Sequence, residues 1–325
     1  MGLAGEVLNF FSLYNLATIH QNQPPSLNDC LNHFTGRGAE VQLRTLLAIV
    51  KKFEHEGFVL KIGQKGNDPI YDSTYVAQHI SNDYLKYGAY DFYFQGFASI
   101  REYFSKSVLP MDVRKRNDDP DIGTCFVVDS HQILTARHCI ESKNNIKIYD
   151  PHRQLIKPDS IWVPSDGKDI ALIEMNYYNF SVVPKFSIQY GRVLDEVLTM
   201  GYPPIPGFDS IIISDLAHIG TSIKVSKGRI IGEGDMLFDR ESYFLINAKV
   251  KGGNSGGPII NNLGYVTGML VSISLDPDDQ KNLDHLAYGI AVTGTQINNF
   301  LKNVRLQNEK VQKMPFCINK NGFAT

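Results

Sequence analysis

The sequence predicts a multi-domain chain: a mainly helical N-terminal module followed by an all-β domain with the pattern of a barrel pair. Three observations predict it. Up to about residue 112 apolar residues recur at helical spacing, and from about residue 122 to 297 short apolar runs split by turns replace them. At 325 residues, with 43% apolar and 20% charged side chains, the chain can also build more than one core. The predicted division is 1–112, 113–305 and a loose tail over 306–325.

In the first part, residues 6–19 repeat apolar side chains at helical spacing. Ser26, after Pro24 and Pro25, is the capping residue of a second helix reaching Phe34. A third, over 40–56, sets Val41, Leu43, Leu46, Leu47, Val50 and Phe53 largely on one face and stops at Gly57. Residues 58–62 and 70–76 flank a glycine-rich turn and read as a hairpin. Helices followed by a two-stranded wing resemble a winged-helix domain, which invites a DNA-binding reading.

The charges argue otherwise. Residues 1–112 hold nine Lys and Arg against eleven Asp and Glu, although Arg44, Lys51, Lys52 and Lys65 could cluster. A protein-contact module, regulating or recruiting, is favoured over a nucleic-acid reader. Residues 84–104 are dense in aromatics, from Tyr84 and Tyr87 to Tyr103 and Phe104, and serve either as core or as a docking surface. Residues 106–120 are polar and read as a linker or first surface loop.

The β part is clearest at residues 126–128, 146–148, 160–163, 170–173, 223–225, 243–246 and 265–271, with a closing helix over 296–304. A formal net charge of −2 gives no general attraction to nucleic acid or an anionic membrane. No apolar run is long enough to cross a membrane, and the first residues lack a signal-peptide pattern, so a cytoplasmic chain is expected. Gly2 would suit myristoylation, but Glu6 stands where the pattern needs Ser or Thr. The four cysteines, Cys30, Cys125, Cys139 and Cys317, are too scattered for a disulfide framework or a zinc site. No metal and no cofactor are expected.

The chemistry is carried by three short segments. Gly252-Gly-Asn-Ser-Gly-Gly-Pro258 sets one serine, Ser255, in a glycine-rich turn where the Gly253 and Ser255 amides can face one developing oxyanion. Upstream, Thr135-Ala-Arg-His-Cys139 follows an apolar strand and carries His138, and Asp169 opens the apolar run Ile170-Ala-Leu-Ile173. Alone, each has a bland reading: a glycine turn, a packed histidine, a strand-start cap. Together, in the order His, Asp, Ser, they resemble the signature blocks of trypsin-like serine peptidases of the chymotrypsin double-barrel fold.

That resemblance implies two six-stranded barrels, with His138 as general base and acid, Asp169 as its orienting partner, Ser255 as nucleophile, and the amides of Gly253 and Ser255 as the oxyanion hole. The substrate would be a protein. Lys249, six positions before Ser255, would fall at the base of the primary pocket and favour an acidic side chain, its bland alternative being a solvated loop charge. Asn254 replaces the aspartate that binds a freed N-terminal ammonium in digestive enzymes, so maturation by cleavage at the start of the domain is not expected. In this, GNSGG is similar to HtrA-like and viral relatives. Secreted members often join cysteines placed like Cys125 and Cys139, but here two reduced, packed thiols are expected.

The function read from the sequence is therefore a cytoplasmic serine endopeptidase controlled or targeted by its N-terminal module. Such fusions resemble stress or antiphage-defence proteases of bacteria. The alternatives are a DNA-binding regulator with an attached protease, and a binding protein that keeps the fold without activity.

Overall fold

The structure, a computed structural model, describes residues 2–114, 120–141, 146–152, 154–203, 222–235, 242–274 and 288–314. Residues 115–119 of the expected linker or surface loop, Cys317 and the end of the expected tail lie outside the described residues. The chain forms two compact units, 1–96 and 97–325.

In the first unit the helical pattern of residues 6–19 is divided into α1 (Leu3–Phe10) and α2 (Leu13–Thr18). The break is at Ser12, whose hydroxyl accepts from the Asn15 amide and caps α2. Ser26 and Asp29 form a reciprocal capping box that starts α3 (Leu27–Gly36). Helix α4 (Leu43–His55) buries Leu46, Ile49, Val50 and Phe53 and gives way at Gly57, whose φ of +78° favours glycine. Strands β1 (Val59–Gln64) and β2 (Ser73–Ala77) pair antiparallel, and α5 (Asn82–Tyr87) and α6 (Ala89–Gln95) complete the unit.

Part of the aromatic stretch is core, and more of it packs half-buried against that core. Tyr90 meets Phe53 and Phe58 edge to face, Tyr93 packs on both, and Tyr90 is 1% exposed. Further along, Phe104 is fully buried in the second unit, stacked on Phe186 with ring centroids 4.2 Å apart, while Tyr103 remains exposed.

The second unit opens with α7 (Phe97–Phe104) and β3 (Val108–Arg114), so the sequence expectation of a linker over 106–120 is corrected. Apolar Val108, Leu109 and Met111 are buried, and the strand pairs with β4 (Pro120–Asp129) on one side and β6 (Ile146–Tyr149) on the other. Then come β5 (Gln132–Thr135), the single turn α8 (His138–Glu141), β7 (Leu155–Ile156), β8 (Ser160–Pro164) and β9 (Ala171–Glu174). These form an eight-stranded sheet of order β16-β8-β9-β5-β4-β3-β6-β7, where two six-stranded barrels were expected. The extra strand β16 (Val311–Met314) comes from the segment expected to be a loose tail; its Val311 is buried and it pairs with β8.

The other half is a closed six-stranded barrel of β10 (Glu196–Gly201), β11 (Lys224–Asp235), β12 (Ser242–Ile246), β13 (Pro258–Asn261), β14 (Val266–Ser274) and β15 (Tyr288–Thr293). Its core is Val197, Ile230, Phe244, Ile246, Ile259 and Leu270. Helix α9 (Gly294–Leu306) starts on a Thr293–Gln296 capping box. Among the described residues no helix is long and apolar enough to cross a membrane.

Candidate active site

The site is assembled where the sheet and the barrel of the second unit meet. β5 buries Ile133 and Leu134 and delivers the chain through Ala136 into the turn of α8, whose first residue is His138. Asp169 precedes β9, which pairs with β5 in antiparallel register, Thr135 opposite Ala171. This register brings Asp169 to His138. Asp169 Oδ1 accepts from the His138 backbone N–H at 2.8 Å, and Oδ2 lies 2.6 Å from Nδ1. The carboxylate thereby fixes both where the residue sits and which ring nitrogen faces it.

The electrostatics follow from that contact. Burial works against the charged ring, but the hydrogen bond to Asp169, with a smaller contribution from the contact to Cys139, raises the His138 pKa to about 10. The imidazolium is the favoured resting form. The Asp169 side chain is 26% exposed and that of His138 44%, so the ring keeps one face open to an incoming molecule.

Ser255 lies in the turn between Val250, at the end of the run after β12, and β13. Asn254 N–H donates to Lys251 O and Gly257 N–H to Asn254 O, while Gly256 N–H donates to Leu270 O of β14. The glycines are required by space. Gly256 has a φ of +80°, and a Cβ there would lie 2.1 Å from Thr124 O; at Gly257 it would lie 2.5 Å from Met200 O. Gly253 has a φ of +94°, and among the described residues neither its amide nor that of Ser255 has a backbone acceptor.

Sequence reasoning passed over the residue that ties this loop down. Thr124 of β4, fully buried, donates from Oγ1 to Gly253 O at 2.7 Å, and its N–H donates to Ser255 O at 2.9 Å. Its carbonyl accepts from Thr135 Oγ1, and its own Oγ1 accepts from Tyr202 N–H. One side chain thus stitches the serine turn to the sheet that carries His138. The signal available beforehand was only a hydroxyl residue after Gly123 at the head of an apolar strand.

The remaining site residues fall into place as follows. Asn254 is 6% exposed, its carboxamide against the backbone of Gly201, where a Cβ would lie 2.5 Å from Oδ1. Lys249 is exposed between buried Ala248 and Val250. Cys125 and Cys139 are both free and buried, and burial pushes the Cys125 thiol well up. The sulfur of Cys139 lies 3.6 Å from His138 Nε2 and 3.7 Å from Ser255 O.

Parts of the chain are similar to known proteins. Residues 123–269 match the family model described as a trypsin-like peptidase domain. Over 154 residues the chain is 25% identical to a serine protease of Mycobacterium tuberculosis, covering 47% of this chain and 36% of that protein. Over 140 residues it is 27% identical to the serine endoprotease DegS of Haemophilus influenzae, covering 42% and 37%. A solved HtrA-type protease with a tripeptide aligns over 64% of this chain and 63% of its own, at 15% identity and a TM-score of 0.49. The matched segment spans little more than a third of the length of these curated relatives. Residues 123–269 are thus similar to a trypsin-like peptidase domain, and serine proteases are among the proteins this segment resembles.

Proposed function

We propose that this chain is a serine endopeptidase that hydrolyses peptide bonds of a protein substrate through an acyl-enzyme. Ser255 attacks the scissile carbonyl, His138 takes its proton and returns it to the leaving amine, and Asp169 holds the tautomer and stabilises the imidazolium. The amides of Gly253 and Ser255 receive the oxyanion. The observation that carries this reading is the double hydrogen bond of Asp169 to His138, in the same site as the serine turn. The test is labelling with a fluorophosphonate probe. Wild type should label at Ser255, and Ser255→Ala and His138→Ala should not; labelling that survives Ser255→Ala would overturn the assignment.

The finer reading is a cytoplasmic protease that the first unit controls or targets, in a bacterial stress or antiphage response. Its support is the order of helices and hairpin in the first unit, which is winged-helix-like, and the absence of a cation-rich sum. Against the DNA-binding alternative stand the partners of the basic residues. Lys51 pairs with Glu54, Lys65 with Asp29, and Lys52 donates to two backbone carbonyls. Among the described residues, three of the four cations that could cluster thus already have partners within the first unit. Lys249 is proposed to select an acidic side chain before the scissile bond, and a peptide-library profile unchanged by Lys249→Ala would remove that role.

A further inference from the structure

Among the hydrogen bonds of the described residues, none joins Ser255 Oγ to His138 Nε2, the nitrogen that the reaction needs for the serine proton. The neighbour of Nε2 is Cys139 Sγ at 3.6 Å, and the same sulfur lies 3.7 Å from the backbone carbonyl of Ser255. Cys139 is 2% exposed, and its position is set from behind by Gly123, where a Cβ would lie 3.3 Å from the sulfur. Among the described residues, the titratable groups bonded to the ring are Asp169 at Nδ1 and Cys139 at Nε2. Arg137, next in the chain, sends Nη1 to Pro164 O.

The two sulfur contacts form one chain. With Nδ1 donating to Asp169, a protonated ring can donate Nε2–H to a lone pair of Cys139 Sγ, whose own S–H donates to Ser255 O. When the ring is neutral, Nε2 becomes an acceptor and the same thiol can donate to it. In either protonation state the sulfur, and not the serine hydroxyl, is the partner of Nε2.

We propose that Cys139 is a positioning residue that engages Nε2 of the resting His138 ring in place of the serine hydroxyl, so that the general base acts only once the ring has left the thiol. The proposal rests on the peptidase reading above. A sulfur that accepts from the charged ring also favours that form, in line with the direction in which Cys139 moves the His138 pKa. A cysteine that merely filled space would leave the ionisation of the ring alone.

The experiment is the pH profile of fluorophosphonate labelling of the full chain, for wild type and for Cys139→Ala, Cys139→Val and Cys139→Ser, each checked for an intact thermal transition. Val keeps the site filled if Ala does not fold. The expected result is a midpoint about one pH unit lower in Ala and Val, with labelling near neutral pH several-fold faster, and a return toward wild type in Ser, whose hydroxyl can replace the thiol contacts. Slower labelling with an unmoved midpoint in Ala and Val would make Cys139 a packing residue and overturn the proposal. Failure of wild type to label at any pH would instead overturn the peptidase reading, and this proposal with it.

Discussion

Asp169 holds His138 through two different atoms, one oxygen on the backbone N–H at 2.8 Å and the other 2.6 Å from the ring Nδ1. The carboxylate therefore acts on the path of the chain as well as on the tautomer of the ring. Asp169→Asn keeps an acceptor for the backbone N–H but can present its amide nitrogen to Nδ1, which favours the wrong tautomer. Labelling of Ser255 should fall by about 10³- to 10⁴-fold. A change of less than about tenfold would show that the ring is positioned by something else.

The pH dependence follows from the same pair. His138 is raised from 6.5 to about 10, so it acts as a base only after losing a proton that it holds through neutral pH. Wild-type labelling should climb steadily above pH 6.5 toward about 10. The contribution of this histidine to folding has the opposite course: it is complete below pH 6.5 and is lost as the pH rises through about 10. A labelling plateau already reached at pH 7 would contradict both.

Gly256→Ala should lose the site through its fold. The residue sits at a φ of +80°, and the new Cβ would meet Thr124 O at 2.1 Å and Thr135 Oγ1 at 2.3 Å. Backbone strain and overpacking together should cost roughly 3 kcal/mol. Chemical denaturation measures the loss, and labelling should fall with it.

In the first unit, Lys52 Nζ donates to Tyr93 O at 2.6 Å and Phe94 O at 2.9 Å, closing the C-terminal end of α6 where the macrodipole favours a cation. Lys52→Met keeps the apolar stem and removes the donors, and should destabilise by about 1–3 kcal/mol. Arg44→Ala, on an exposed position of α4, should stay within about 0.5 kcal/mol. If both variants instead weakened a salt-dependent complex with duplex DNA, the DNA-binding alternative would return.

A fragment beginning at Phe97 should label at a rate clearly different from the full chain if the first unit controls the peptidase domain. The cut belongs there because a start at Val113 would remove most of β3, which pairs with both β4 and β6. Equal rates from two folded proteins would leave recruitment as the role of the first unit.

Much of this was legible in the order of residues because it is local. The Ser26 cap, the stop at Gly57 and the apolar strands leading to His138 and Asp169 are set by residues a few positions apart, whereas the glycines around Ser255 show in the chain as a motif but are required by the distant backbone of Thr124 and Met200. Spacing in the chain therefore carries them. Charge counting went less far, since it could weigh Lys52 as a cation but not see that Tyr93 and Phe94, some forty residues on, take its donors. The pairing of 108–114 with β4, the return of 311–314 to β8, the clamp of Thr124 on the serine turn and the place of Cys139 between His138 and Ser255 all join distant segments. Each depends on which strand edge was still open once the core had closed and on how much room the neighbouring backbone left. Residues 108–114 and 311–314 look polar or loose when read in line, and become strands as Val108, Leu109 and Met111 are buried in the sheet and Val311 is buried against it.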